Sequence, residues 1–259
     1  MSSSPRKSKF SLKKILLIAN YAISTYLVGY LSQFAIGYPL IFLVGLTIFQ
    51  TPLFSAIYNG LAYCFAAAVL IFLPQLILKL SSKYKRLGIL SKIFKPWQTN
   101  REELGLEDLP TLTDLSLSVI GFALYAVLSV ILVKIFEIFS WFQANQTQNV
   151  GFSRYLIGTD RAFAFIALVI FAPIFEEIIY RGWLFGHLRK ITKKSTAIIL
   201  TSIVFGIAHG QWNVGVNVFG LSVILCILRE FTGTIYASIL LHMIKNCIAF
   251  YLMYVVGFV

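Results

Sequence analysis

The chain has 259 residues, of which 58% are hydrophobic and only 12% charged, and its mean hydropathy is +0.82. Soluble globular chains carry about 25% charged residues, so a water-soluble domain is excluded and the solvent of most of this chain is lipid. The net charge of +12 does not point to nucleic acid, because the cations cluster beside apolar runs rather than along one soluble face.

In chain order, Arg6, Lys7, Lys9, Lys13 and Lys14 precede a run from Ile15 to Leu78 without Lys, Arg, Asp or Glu, and a second basic cluster from Lys79 to Arg101 follows it. Basic flanks at both ends of the run predict that both are cytoplasmic and that an even number of crossings separates them, placed near 15–35 and 54–78. The piece between them, with Gly37, Pro39 and Pro52, reads as an outer loop or partly inserted segment. More spans follow the first rather than a cleavage site, so a cleaved signal peptide is not expected. Apolar residues at spacings of three and four from Lys79 to Trp97, with cations between them, predict a basic interfacial helix on anionic headgroups. Asn100 and Glu103 have the spacing of an N-cap box, with Pro110 closing a short helix.

A third span is expected near 115–141, carrying Lys134 and Glu137 near its outer end, followed by an outer loop over 143–160 that contains the sequon pattern Asn145-Gln146-Thr147. A fourth near 161–181 returns to a cytoplasmic stretch with Arg189, Lys190, Lys193 and Lys194. There Trp183, Leu184, Phe185 and Leu188 suit the interface and His187 reads as solvated. Further spans near 195–210, 214–228 and 234–257 complete an all-α polytopic bundle of about seven helices, within a range of six to eight, with Arg229 and Glu230 at a span end. Cys64, Cys226 and Cys247 lie in apolar segments and read as small buried hydrophobes, neither disulfides nor zinc ligands.

A charge near the bilayer centre costs about 2.5–3.5 kcal/mol, so intramembrane ionisable residues need partners or a chemical task. They fall in three places. In Glu176-Glu177-Ile178-Ile179-Tyr180-Arg181, Glu177 and Arg181 are four apart and can pair, which leaves Glu176 about 100° around the helix without that partner. An unpaired carboxylate there is a candidate general base, and Pro173 is positioned to bend the helix and open space beside it. Phe205 and His209 share a face, with Gly206, Ala208 and Gly210 allowing close helix approach. His242 and Asn246 also share a face and can donate to one oxygen, with Lys245 beside them. Taken singly, each has a bland reading: the histidines as helix-to-helix hydrogen-bond partners, Glu177 with Arg181 as a structural pair, Phe205 as packing.

Together, in this order on successive spans, the motifs resemble those of the CAAX protease and bacteriocin-processing family of intramembrane proteases, also called the Abi family, with its type II CAAX prenyl endopeptidases. The resemblance covers roughly residues 113–257. It divides the chain into N-terminal spans with a basic segment (1–112) and a protease core (113–259). It implies an intramembrane endopeptidase reached from the cytoplasmic side, in a multi-pass protein of a bacterial plasma membrane, acting on membrane-associated protein or peptide substrates. By similarity Glu176 and His209 activate a water, His242 and Asn246 stabilise the oxyanion, and Glu177 with Arg181 holds the fourth span. The family is commonly labelled metalloprotease, which makes Glu176, His209 and His242 a candidate zinc set, while the absence of HExxH favours water held by protein groups alone. Two other readings stand beside this one: a non-catalytic scaffold or bacteriocin-immunity protein of the same fold, and a small transporter with a proton relay through Glu176, His209 and His242.

Overall fold

The computed structural model describes residues 11–146, 148 and 150–257. Arg6, Lys7 and Lys9, and Thr147 of the sequon, lie outside them. Seven main helices form the bundle: α1 (Leu12–Val44), α2 (Pro52–Lys83), α3 (Leu112–Phe136), α4 (Gly158–Ile191), α5 (Lys194–Ile207), α6 (Trp212–Thr232) and α7 (Tyr236–Val256). No strand occurs among the described residues. Six of these helices are long and apolar enough to cross a membrane by themselves. The seventh, α5, has 14 residues and so spans about 21 Å against a hydrocarbon core of about 30 Å.

Helix bounds depart from the expected ones where backbone satisfaction in lipid outweighs local breakers. The region after residue 35, expected as a loop, is helical through Pro39 to Gly45, where φ of +78° ends α1. Proline removes one ladder bond, whereas unwinding in lipid would strand several N–H and C=O groups. The Lys79–Trp97 segment is not one helix. Its first turn belongs to α2, a short helix covers Gly88–Phe94, and the chain then turns inward at Pro96 and Trp97. The Asn100 cap forms as expected, accepting from the Glu103 N–H at 2.8 Å, but its helix ends at Gly105, where φ is +73°, before Pro110 is reached.

The start of α1 and the ends of α2, α4 and α6 meet this inward-turned segment at one end of the bundle, the basic end. Trp97 Nε1 donates to Asn20 at 2.8 Å, the Tyr21 hydroxyl donates to the Pro96 carbonyl at 2.8 Å, and the rings of Trp97 and Trp183 meet edge-on at 5.6 Å. Trp183, Leu184, Phe185 and Leu188 are therefore core rather than interfacial, and His187 is buried at 2% exposure between the carbonyls of Trp183 and Gln98 instead of solvated. The cations around them suggested a cytoplasmic stretch because α4 continues two and a half turns beyond Arg181 under cover of residues 95–105. Arg229 and Glu230 do not pair with each other. Glu230 binds Arg189 at 2.7 Å, and Arg229 donates to the carbonyls of Gly233 and Glu103. Burial works to raise the Glu103 carboxyl, but Lys190 at 2.6 Å prevails and holds it below the usual carboxylate range. Lys134 and Glu137 form an exposed pair at the other end, as expected. Of the cysteines, Cys226 is buried, while Cys64 and Cys247 face outward.

The expected close approach at Gly206 is present. A Cβ there would lie 2.9 Å from the Gly215 carbonyl oxygen, and one on Gly215 would lie 3.0 Å from that of Gly206, so α5 and α6 touch backbone to backbone. Gly206→Val is expected to lower stability by about 1–3 kcal/mol, read as the detergent-solubilised thermal transition, while Gly88→Ala, whose Cβ meets open space, leaves that transition in place.

Candidate active site

The site is built on α4. Two π-helical stretches, Ile166–Phe171 and Ile178–Leu184, flank the turn Ala172–Glu177 that carries Pro173, Glu176 and Glu177. Such wide turns re-aim side chains relative to a regular helix, so the space beside Glu176 does not come from Pro173 alone.

Glu177 and Arg181 are both fully buried and paired at 2.9 Å, as their spacing predicts. The same Glu177 oxygen also receives His242 Nδ1 at 2.8 Å. The Arg181 guanidinium lies 4.4 Å from the centroid of the Phe205 ring, and that ring meets His209 edge-on at 4.8 Å and His242 at 5.9 Å. Phe205, fully buried, thus packs against the cation and both imidazoles. Among the described residues, Arg181 Nε and Nη2 and Glu177 Oε2 have no hydrogen-bond partner.

Glu176 is not left alone. Its Oε1 accepts the Tyr63 hydroxyl of α2 at 2.6 Å, while its Oε2 lies 3.8 Å from His242 Nε2. The second separation is too long for a direct hydrogen bond and short enough for one water to bridge. A carboxylate can only accept, so the Glu177 contact assigns the His242 proton to Nδ1 and turns the lone pair of Nε2 toward Glu176. By the same logic His209 Nδ1, 2.8 Å from the Phe205 carbonyl, carries a proton, and its Nε2 is free to accept one.

Glu176, Tyr63, Phe205 and His209 line a cavity of about 480 Å³, walled by α1 from Thr25 to Ile41 and by the facing part of α2. His242 approaches Glu176 from the other side and is not among the lining residues. Asn246 is not joined to His242 at a common point. Its Nδ2 donates to the Leu168 carbonyl at 2.8 Å, within the first wide turn of α4, which leaves its second amide hydrogen uncommitted. Lys245, the neighbour of Asn246 on α7, makes no hydrogen bond or ion pair among the described residues.

For the candidate zinc set of Glu176, His209 and His242, no three His, Cys, Asp or Glu side chains among the described residues are placed to hold an ion together; the atoms left without a direct protein partner are Glu176 Oε2 and the Nε2 of each imidazole. Tyr63 is the member that sequence reasoning missed: a tyrosine within a charge-free run carries no pattern that sets it apart from packing aromatics, and its partner lies 113 positions away.

The cavity lies in the half of the bundle away from the basic end. Access from the cytoplasmic side and a cytoplasmic location of the basic flanks, both expected from the sequence, therefore refer to opposite ends of this molecule.

Residues 158–248 match a family model described as Type II CAAX prenyl endopeptidase Rce1-like. The match covers about a third of the chain, from the start of α4 into α7, and takes in Glu176, Glu177, Arg181, Phe205, His209, His242 and Asn246. The resemblance read from the motifs holds for this segment. α1 and α2, which supply Tyr63 and most of the cavity wall, lie outside it. Comparison with curated proteins and with solved structures finds no match to the chain.

Proposed function

We propose that this protein is an intramembrane endopeptidase that hydrolyses a peptide bond with a water activated by Glu176 and His209. The observation that carries the reading is one cavity with a carboxylate and a free imidazole nitrogen on its wall, both supplied by the segment that matches a protease family. The water oxygen attacks the scissile carbonyl carbon as its proton passes to Glu176, giving a tetrahedral oxyanion. His242 Nε2, 3.8 Å from Glu176 Oε2, is the donor available to that oxyanion once it takes up a proton from Glu176. The proton carried by the site then goes to the leaving amine as the C–N bond breaks. Tyr63 positions Glu176 rather than reacting.

The transport reading fares less well. The polar chain from Tyr63 through Glu176, His242 and Glu177 ends at Arg181 in the fully buried core, and a guanidinium does not release its proton, so the relay has no continuation toward the basic end.

Purified protein in proteoliposomes supplied with a prenylated CAAX-type peptide, and a comparison of membrane peptides from cells with and without the intact site, test the activity. No product in either would remove the protease reading. Exhaustive chelation is expected to leave turnover unchanged; a loss restored by zinc would contradict the protein-only mechanism. Tyr63→Phe removes one hydrogen bond to a charged group, worth about 1.5–3 kcal/mol, so kcat is expected to fall roughly 10- to 100-fold with little change in KM.

A further inference from the structure

We propose that the substrate is an uncharged, extended peptide segment admitted from the side of the membrane opposite the basic end, and that the far half of α1 is the wall it lies against. This rests on the proteolytic reading and adds the side and the substrate class. The cavity lining on α1 runs from Thr25 to Ile41, about 24 Å of helix, enough for about seven residues of extended chain. Along it Tyr26, Tyr30, Phe34 and Tyr38 recur every fourth position with successive ring centroids 6.4, 4.9 and 5.8 Å apart, and all four are exposed, Tyr38 to 67%.

The chemistry of this wall suits a peptide backbone better than a lipid chain. Among the described residues the hydroxyls of Tyr26, Tyr30 and Tyr38 and the amide N–H groups of Gln33 donate to no protein acceptor, while the Gln33 oxygen is fixed by the Tyr58 hydroxyl at 2.8 Å. Unused donors spaced along an aromatic surface match carbonyls spaced along a strand, and an acyl chain would satisfy none of them. Apart from the site's own Glu176 and His209 no ionisable group other than tyrosine lines the cavity, so an acidic segment would find no counter-ion and would meet Glu176, while a basic one would find only Glu176, the group that must stay free to take a proton from water.

The side follows from where the cations lie. Among the described residues the far end holds Lys134, Arg154 and Arg161, and every other Lys and Arg except Arg181 and Lys245 belongs to the basic end. That imbalance places the basic end in the cytoplasm. Gln33 lies nineteen residues beyond Lys14, about 28 Å along α1, so the aromatic wall reaches the outer leaflet.

The test uses the full chain with Cys64, Cys226 and Cys247 replaced by alanine and a single reporter thiol, Tyr38→Cys at the cavity wall or Ser91→Cys at the basic end. A membrane-impermeant maleimide is expected to label Tyr38→Cys in intact cells and Ser91→Cys only in inverted vesicles. A blocked, uncharged heptapeptide of Ala, Ser and Val is expected to slow labelling of Tyr38→Cys several-fold. Labelling of both thiols from one side overturns the assigned side, and labelling unaffected by the peptide overturns the wall. The readout needs no turnover. If the peptide protects Tyr38→Cys but is never cut, the proteolytic reading fails while the access route stands; cleavage of peptide supplied only to the basic end does the reverse.

Discussion

Glu176→Gln is expected to lower peptide hydrolysis by about 10²–10⁴-fold while leaving the detergent-solubilised thermal transition where it was. The amide has the shape of the carboxylate, and its oxygen can still accept the Tyr63 hydroxyl that Glu176 Oε1 accepts at 2.6 Å. What disappears is the ability to take a proton from water. The fold does not depend on the charge, because the buried ion pair of α4 belongs to the neighbour, Glu177. Glu177→Gln is the necessary companion variant, since it loosens both Arg181 and His242 and should reduce stability and activity together. Hydrolysis that persists at the native rate in Glu176→Gln would end the role assigned to this carboxylate. Persistence there with loss only in Glu177→Gln would move the base one residue along the helix.

The members of the site were legible in the sequence because lipid makes them conspicuous. A carboxylate, an arginine or a histidine in an apolar run stands out, and the spacing of four between Glu177 and Arg181 already gave the pair that is found at 2.9 Å. How these members are partnered was less legible. Regular helix geometry placed His242 and Asn246 on one face aimed at one oxygen, but the wide turn at Ile166–Phe171 brings the Leu168 carbonyl to Asn246, while His242 turns to Glu177. No residue pattern announces such a turn. The burial of Trp183 and His187 was hidden for a related reason: the basic residues that follow them mark the end of lipid, and the cover over them comes from Trp97 and Gln98, nearly ninety positions earlier. The number of spans depends only on apolar length and came out close, with the helix that is too short, α5, held by its backbone contact with α6 at Gly206 and Gly215.

Arg181→Met is expected to cost about 3–5 kcal/mol of stability, more than the crowded helix contact loses in Gly206→Val. Both charges of the pair are at 0% exposure, and no other cation hydrogen-bonds to Glu177. Removing the guanidinium leaves a carboxylate in the core with His242 as its remaining neighbour at 2.8 Å, and it also strips the charge that sits 4.4 Å from the centroid of the Phe205 ring. The double variant Glu177→Gln with Arg181→Met separates the cost of an orphaned charge from the worth of the pair. Buried pairs contribute little net stability once both partners are replaced, so the double variant should unfold at a higher temperature than Arg181→Met alone. Hydrolysis should not return with it, because the oxygen that fixes the His242 tautomer is then shared with an amide that can turn its N–H groups toward the ring. A double variant as unstable as the single one would mean that Arg181 holds α4 through Phe205 rather than through Glu177.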